Sequence, residues 1–414
     1  MTTLAVHWED TLVGHLSPAG GDGMSFVYHR SYLESSTTRP ISLALPPRPE
    51  PHDGPAVRAW FANLLPEGAI RGQVARALGV SERNELAILA RTGGDCAGAL
   101  RLLPADAAAP SEPSLPMPLP WDELEARLAA TPRPSLLAMA ARDGRLRLSL
   151  AGAQDKLPVR YDGGSLSLPT SDHPSTHLLK VGDPAFPGLV HNELFCLRLA
   201  RAVGLPAPAA ELAPTRTPLL LVERYDRVQA ADGTTVRLHQ EDFCQASGRL
   251  PETKYESEGG PALAEMFAAL AAGSGSPLAD KRDLLAWVLF NYVTGNADGH
   301  AKNASLLYGR LTDTGLPRLA PFYDLVCTAA YGALTRRLAQ RIGGEDRPER
   351  VEARHWDGLA AAIGVKAAYL KTLGLELSRR IEEQAAALAA DGAPAQVTDV
   401  IHARCRRLQG ELRQ

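Results

Sequence analysis

The amino-acid sequence predicts an α+β chain in two lobes, an N-terminal mixed α/β lobe and a mostly α-helical C-terminal lobe. Three observations carry that expectation. Alternating apolar and polar residues separated by short turns are concentrated before about residue 238, and apolar residues at helical spacing dominate from about 239 onward. One polar segment, Asn296 to Asn303, interrupts the helical part directly after the apolar stretch Trp287 to Val293.

The first stretch, 1–103, opens with strands at Leu4–Trp8 and Leu12–Leu16 around a Glu-Asp turn, then Met24–Tyr28 and Ile41–Leu45. Helices follow on the spacing of Val57, Trp60, Phe61 and Leu64, of Ile70, Val74 and Leu78 before Gly79, and of Leu86, Leu89 and Ala90 behind Ser81 as N-cap. A strand at Ala99–Leu103 closes the unit. Residues 104–120 carry six prolines and read as a stiff linker or surface crossing. The stretch 121–238 starts with a helix at Trp121–Leu128. Strands follow at Leu157–Tyr161, Leu166–Leu168, Thr176–Val181 and Leu219–Tyr225, with one helix over Asn192–Val203, a layout that suits nucleotide binding. The remaining stretch, 239–414, is helical apart from the segment 296–327.

A chain of 414 residues with a formal charge of −3 is long enough for more than one core and lacks the charge for a surface that binds polyanions throughout. The five cysteines (Cys96, Cys196, Cys244, Cys327 and Cys405) form no CxxC pair and read as reduced thiols, with no zinc site. No cationic segment leads into a long apolar one at the N-terminus, and Leu284–Val293 is half the length a bilayer requires. A cytoplasmic protein with no membrane partner is expected.

The chemistry is concentrated in Asp298-Gly-His300-Ala-Lys302-Asn303 and in Pro321-Phe-Tyr323-Asp324. An Asp, an Asn five residues later and a second Asp one hairpin downstream have the spacing of a phosphoryl-transfer site. There the first Asp accepts a hydroxyl proton while the Asn and second Asp hold Mg²⁺. Oxygen-only ligands suit that ion. An acid between aromatic and apolar neighbours, as Asp324 is, needs a cation or hydrogen bonds. Ser149-Leu-Ala151-Gly152-Ala153-Gln154-Asp155-Lys156 precedes a strand hairpin; its small residues would admit phosphates to the backbone N–H groups, although a plain turn fits as well. Lys180 ends an apolar strand and fits two readings, an edge lysine with a solvated head or a lysine that grips phosphates, with Glu193 as candidate orienting partner. Glu223-Arg224-Tyr225 closes another strand and could offer backbone groups to an adenine, or be a charged strand end. The arginines 336, 337, 341, 347, 350 and 354 are diluted by Glu345, Asp346, Glu349 and Glu352 and read as solvated faces.

Taken together, these segments resemble the HipA family, the serine/threonine-kinase toxins of bacterial type II toxin–antitoxin systems. The resemblance runs nearly end to end: Val13-Gly-His-Leu16, Arg39-Pro-Ile-Ser-Leu43, Asn63-Leu-Leu-Pro66, Ala151 to Lys156, Thr176 to Lys180, Val222 to Asp226, Gln240 to Cys244, Lys254 to Ser257, Asp298 to Asn303 and Pro321 to Asp324. It implies a protein-kinase-like fold, ATP and Mg²⁺ as cofactors, and Asp298 as catalytic base with Asn303 and Asp324 as metal ligands. Lys180 and the loop 151–156 would hold the ATP phosphates, and Glu223, Arg224 and Tyr225, with His300 and Tyr323, would complete the nucleotide contacts. Ser149 corresponds to an autophosphorylated serine. The implied partners are a HipB-like helix-turn-helix antitoxin, an aminoacyl-tRNA synthetase substrate such as the glutamyl enzyme, and operator DNA reached through the antitoxin. Translation inhibition and persistence would follow. Asp155 stands where Glu is commoner. Two other readings differ in class, a catalytically silent antitoxin-binding co-repressor scaffold and a small-molecule phosphotransferase; the four-residue set Lys180, Asp298, Asn303 and Asp324 speaks against the first and the stretch 1–103 against the second.

Overall fold

The computed structural model describes residues 2–21, 23–106, 115–129, 135–142, 154–390 and 394–414. The chain forms two compact units, each drawn from separate stretches: Met1–Val181, Leu212–Pro251 and Leu307–Gly315 in the first, Gly182–Glu211, Glu252–Leu306 and Leu316–Gln414 in the second. The sequence reading had divided the chain into consecutive stretches, whereas the first unit spans 1–103 together with most of 121–238.

Two larger antiparallel sheets form most of the first unit, beside the small hairpin of Arg227–Gln229 and Thr235–Arg237. One runs in the order His52–Asp53, Met24–Tyr28, Thr11–Pro18, Leu4–Trp8, Leu100–Pro104. The expected turn at Glu9-Asp10 is present, with Glu9 in a left-handed conformation (φ 54°). Alternation works as expected along Met24–Tyr28, where Met24, Phe26 and Tyr28 are buried. Helix Pro55–Ala62 covers this sheet, with the Phe61 ring 5.8 Å from that of Phe26. Each such fully buried large side chain contributes roughly 1.5–3 kcal/mol.

Two expectations are corrected here. Residues 41–45 make only an isolated Ser42–Leu45 bridge, because their backbone is engaged by side chains: Ile41 N–H by the Tyr28 hydroxyl (3.0 Å), Leu43 N–H by Glu241 (2.9 Å), and Leu45 C=O by the Tyr28 hydroxyl (2.6 Å). The helix Glu85–Thr92 is capped by Asn84, whose Oδ1 accepts from Ala87 N–H at 3.0 Å, and not by Ser81.

Within the second sheet the strands Leu219–Glu223, His177–Val181, Lys156–Asp162, Ser165–Leu168 and Met117–Pro118 are consecutive neighbours. The proline-rich stretch thus supplies an edge strand, the place where a sheet tolerates proline.

The second unit is dominated by helices Leu189–Ala202, Leu263–Gly273, Pro277–Thr294, Ala353–Ala362, Ala367–Ala389 and Ala395–Leu412. Helix Pro277–Thr294 runs through its core, burying every residue from Trp287 to Thr294 and packing on Leu263–Gly273, Ala367–Ala389 and Ala395–Leu412. At the chain end Glu411 accepts from Trp356 Nε1 (2.9 Å), Tyr292 Oη (3.1 Å) and Arg407 Nε (2.7 Å), fastening the last helix to this core. All five cysteines are buried. No single helix among the described residues is long and apolar enough to cross a membrane.

Candidate active site

Helix Pro277–Thr294 leads directly into the Asp298 loop at its C-terminal end, and near its start it holds the strand that precedes Pro321–Asp324. Near its start, buried Asp280 accepts from Arg318 Nη2 at 2.8 Å and from Leu319 N–H at 3.0 Å, holding the strand that leads into Pro321–Asp324. Its far end stops at Gly295, whose left-handed backbone (φ 70°) lets the N–H cap Asn291 and Tyr292 carbonyls.

The loop beyond Gly295 is fixed by its own polar residues. Asn296 Nδ2 donates to Asn291 Oδ1 (3.0 Å), and its Oδ1 accepts from Asp298 N–H (3.0 Å). Thr328 Oγ1 accepts from Ala297 N–H (2.7 Å) and donates to Gly295 C=O (3.0 Å). The Asp298 carbonyl accepts from His300 N–H (2.8 Å) and from Asn303 Nδ2 (2.7 Å). That second bond uses the amide nitrogen of Asn303, so its amide oxygen is the side-chain atom that could meet a cation. A β-carbon at Gly299 would lie 2.7 Å from Asn291 Nδ2, so the tight return from Asp298 to His300 requires glycine.

The Asp298 side chain is 51 % exposed. Its Oδ1 accepts a hydrogen bond from the Tyr255 hydroxyl and lies 3.6 Å from His300 Nε2. The downstream segment is tied to the same loop: Tyr323 Oη donates to Lys302 C=O at 2.6 Å and is 2.6 Å from Ser305 Oγ, while Ser305 C=O accepts from Ala320 N–H, closing the expected hairpin. Asp324 has φ 53°, one of two non-glycine residues with positive φ among those described. Such a conformation at an acidic residue costs about 1 kcal/mol and recurs at functional sites. The second unit therefore gathers Asp298, His300, Asn303, Tyr323 and Asp324 on two mutually tied segments.

In the first unit, Lys180 lies on an interior strand. It faces Leu220 on one side and Lys156 on the other in the sheet register, and it is 1 % exposed. The edge-lysine reading fails, because both flanks of its strand are paired. Asp155 C=O accepts from Val181 N–H (3.3 Å), and its carboxylate accepts from Leu136 N–H (2.9 Å). Gln154 and Lys156 are half-buried beside it, while Ser149, Ala151, Gly152 and Ala153 lie outside the described residues.

At 223–225 the three side chains differ. Glu223 is exposed and Tyr225 donates to Gln240 Oε1. The Arg224 guanidinium is committed to a buried network: Nε to Asp226 Oδ1 (2.9 Å), Nη2 to Asp226 Oδ2 (2.7 Å), Nη1 to Ser175 Oγ (2.8 Å). Asp95 joins through Arg227 Nη2 (2.7 Å), Arg237 Nε (3.1 Å) and Ser175 Oγ (2.6 Å). Burial alone would raise the Asp95 carboxyl, but Arg227, Arg237, Arg224 and the Ser175 hydroxyl outweigh it and hold it far below the usual carboxylate range. The Arg224 backbone is engaged as well, the N–H donating to Thr176 C=O (2.9 Å) and the C=O accepting from Arg227 N–H (3.2 Å).

Glu193 is buried on helix Leu189–Ala202, which belongs to the second unit, whereas Lys180 belongs to the first. Its neighbour Asn192 was not singled out from the sequence, yet it brackets Cys327, donating to its C=O at 3.0 Å and accepting from its N–H at 2.9 Å. Tyr255 and Thr328 were likewise missed as partners of the Asp298 loop. Tyr255 did carry a signal, since it lies in the family-like segment Lys254–Ser257; Asn192 and Thr328 carried none.

The chain is similar to known proteins along most of its length. The family model for the HipA N-terminal domain matches residues 4–103, and that for the HipA-like C-terminal domain matches 148–390. A protein of Sinorhizobium fredii named "Putative kinase" is 43% identical over 380 residues, 91% of this chain and 87% of that one. The serine/threonine-protein kinase toxin HipA of Shewanella oneidensis is 31% identical over 399 residues, 92% of this chain and 88% of that one. Among solved structures, the Shewanella oneidensis toxin–antitoxin complex of HipA, HipB and operator DNA matches with a TM-score of 0.83 at 28% identity, covering 99% of this chain and 96% of that one. With both family domains in order along most of its length, the chain belongs to the HipA family of serine/threonine-kinase toxins.

Proposed function

We propose that this chain is an ATP-dependent protein-serine kinase in which Asp298 is the catalytic base. The observation that carries the reading is the half-exposed Asp298 carboxylate on a loop held still by the Asn296 and Asn303 amides and the Thr328 hydroxyl. An acceptor serine donates its hydroxyl proton to that carboxylate. Its oxygen forms a bond to the γ-phosphorus of ATP as the bond to the β–γ bridging oxygen breaks, and ADP departs. Catalysis then consists of positioning and charge neutralisation.

The oxygen donors of Asn303 and Asp324 fit Mg²⁺, which takes few protein ligands and disfavours nitrogen and sulfur. These two residues would hold it, and it would supply positive charge to the phosphate oxygens. Lys180 and the loop 151–156 serve the ATP phosphates, with Glu193 as the candidate that orients the lysine. Residues 223–225, His300 and Tyr323 serve the rest of the nucleotide.

The family suggests the remainder: a HipB-like helix-turn-helix antitoxin as partner, an aminoacyl-tRNA synthetase such as the glutamyl enzyme as substrate, and growth arrest by translation inhibition. Operator DNA would be reached through the antitoxin, since basic residues near 337–354 are partly paired, Arg337 with Asp346 (3.0 Å) and Arg354 with Glu352 (3.1 Å). Phosphorylation of Ser149 would add roughly −1.5 to −2 charges beside the phosphate loop and act as an off-switch; a Ser149→Asp protein that binds ATP as tightly as the unmodified one removes that part of the reading.

The decisive experiment is phosphate incorporation from radiolabelled ATP, followed by mass spectrometry. Wild-type protein is expected to label itself, and Asp298→Ala to be silent while keeping its fold. An Asp298→Ala protein at near wild-type rate, or an inert wild type, would favour the co-repressor scaffold instead.

A further inference from the structure

The turn that carries Tyr255 is built as carefully as the loop it faces. Gly260 N–H donates to Tyr255 C=O at 2.9 Å, closing the turn on itself. Glu256, next in the chain, is fastened twice to 339–341: its N–H donates to Ala339 C=O (3.2 Å) and its carboxylate accepts from Arg341 N–H (2.7 Å). The ring stands edge-on to His300, with centroids 5.1 Å apart, and the Lys254 ammonium lies over it at 5.7 Å. From this mount the phenol donates to Asp298 Oδ1, the oxygen that His300 also approaches.

We propose that Tyr255 is a positioning residue for phosphoryl transfer, an inference that rests on Asp298 being the base. A carboxylate has two oxygens and can rotate about its terminal bond. A donor fixed on Oδ1 removes that freedom and leaves Oδ2 of this half-exposed group for the incoming serine hydroxyl. Tyr255 thereby sets the angle of proton transfer without touching the nucleotide. Its removal lowers the rate of the chemical step and leaves ATP binding alone.

A double-mutant cycle tests this with the full chain, radiolabelled ATP and self-labelling as the readout. Tyr255→Phe keeps the ring against His300 and deletes only the donor. The expected result is a roughly 10- to 100-fold fall in single-turnover rate, with the ATP concentration for half-saturation unchanged. In an Asp298→Asn background, whose residual rate no longer depends on that carboxylate, the same change is expected to have no further effect. An equal fall in both backgrounds, or none in the wild-type background, overturns the assignment of Tyr255. A near wild-type rate for Asp298→Asn alone sinks the base itself and is recognisable as that separate failure. Should circular dichroism show Tyr255→Phe unfolded, 3-fluorotyrosine at position 255 alters only donor strength, and an unchanged rate with it overturns the proposal.

Discussion

Two regions of this molecule carry charged side chains and hold them in opposite ways. In the first unit, Asp95, Arg224, Asp226, Arg227 and Arg237 form a closed set, all but Arg237 at 6 % exposure or less, in which each carboxylate is matched by guanidinium groups and each guanidinium by oxygen acceptors. In the second, Asp298 is half exposed, and Asp324 is held in a backbone conformation that its side chain does not favour. A charge answered by its own fold is cement. One that stays half exposed on a tightly held loop, as Asp298 does, can meet a substrate.

That contrast can be tested at Asp324. Asp324→Gly deletes the carboxylate and relieves the left-handed strain at once. It is expected to lower phosphoryl transfer by about 10³-fold or more while the chain stays folded by circular dichroism. Activity lost together with several kcal/mol of stability would make Asp324 structural and erase the distinction. Asp95→Ala attacks the other side. It strands Arg224, Arg227 and Arg237 around a missing partner and should cost about 3–5 kcal/mol, read as a lower urea midpoint with the slope preserved.

A third acid refines the comparison. Glu241 is fully buried in the first unit, accepting from Trp60 Nε1 (3.0 Å), Leu43 N–H (2.9 Å) and Tyr308 Oη (2.5 Å). No salt bridge to it is found among the described residues, and burial pushes its carboxyl up to about 7, against hydrogen bonds from Ser42, Tyr308, Leu43 and Trp60. The folded state therefore takes up a proton before the unfolded chain does. Stability from this group rises as pH falls from about 8 towards 4.5, by roughly 3 kcal/mol at most, and is lost again as pH climbs through 7. Thermal unfolding at pH 5.5 and 8 should show this difference in the wild type and lose it in Glu241→Gln; an equal difference in both proteins assigns it to other groups. The smallest expected effect is at Gly299, where alanine would meet Asn291 at 2.7 Å. A cost of about 1–3 kcal/mol, with activity falling more than stability, marks the loop as the precise part of the site.

Most strands and helices were legible because periodicity and turn chemistry act within a few residues. Leu4–Trp8, Met24–Tyr28 and Trp121–Leu128 coincide with the expected bounds. The misreadings occur where distant groups intervene. Residues 41–45 look like a strand until Glu241 and Tyr28 claim their backbone, and the strand His239–Asp242 lay in a stretch read as helical. The Asp298–Asn303 loop was readable for the same local reason as the helices: its glycine and its Asn–Asp hydrogen bonds all fall within eight residues. Tyr255 lies 43 residues from Asp298, and Asn192 lies 135 from Cys327, beyond what any spacing encodes.

Composition and periodicity by themselves determined the α+β class, and the resemblance of the ordered short segments to the HipA family pointed to the kinase toxins and to the candidate site residues, since all of these depend on neighbours along the chain. Whether Lys180 is a surface lysine or a buried one, whether Arg224 is spent on Asp226 or offered outward, and which oxygen of Asp298 is already engaged were decided only by tertiary structure. Burial and hydrogen-bond partnership are properties of residues brought together by folding, and they set which charges are satisfied and which are left to act.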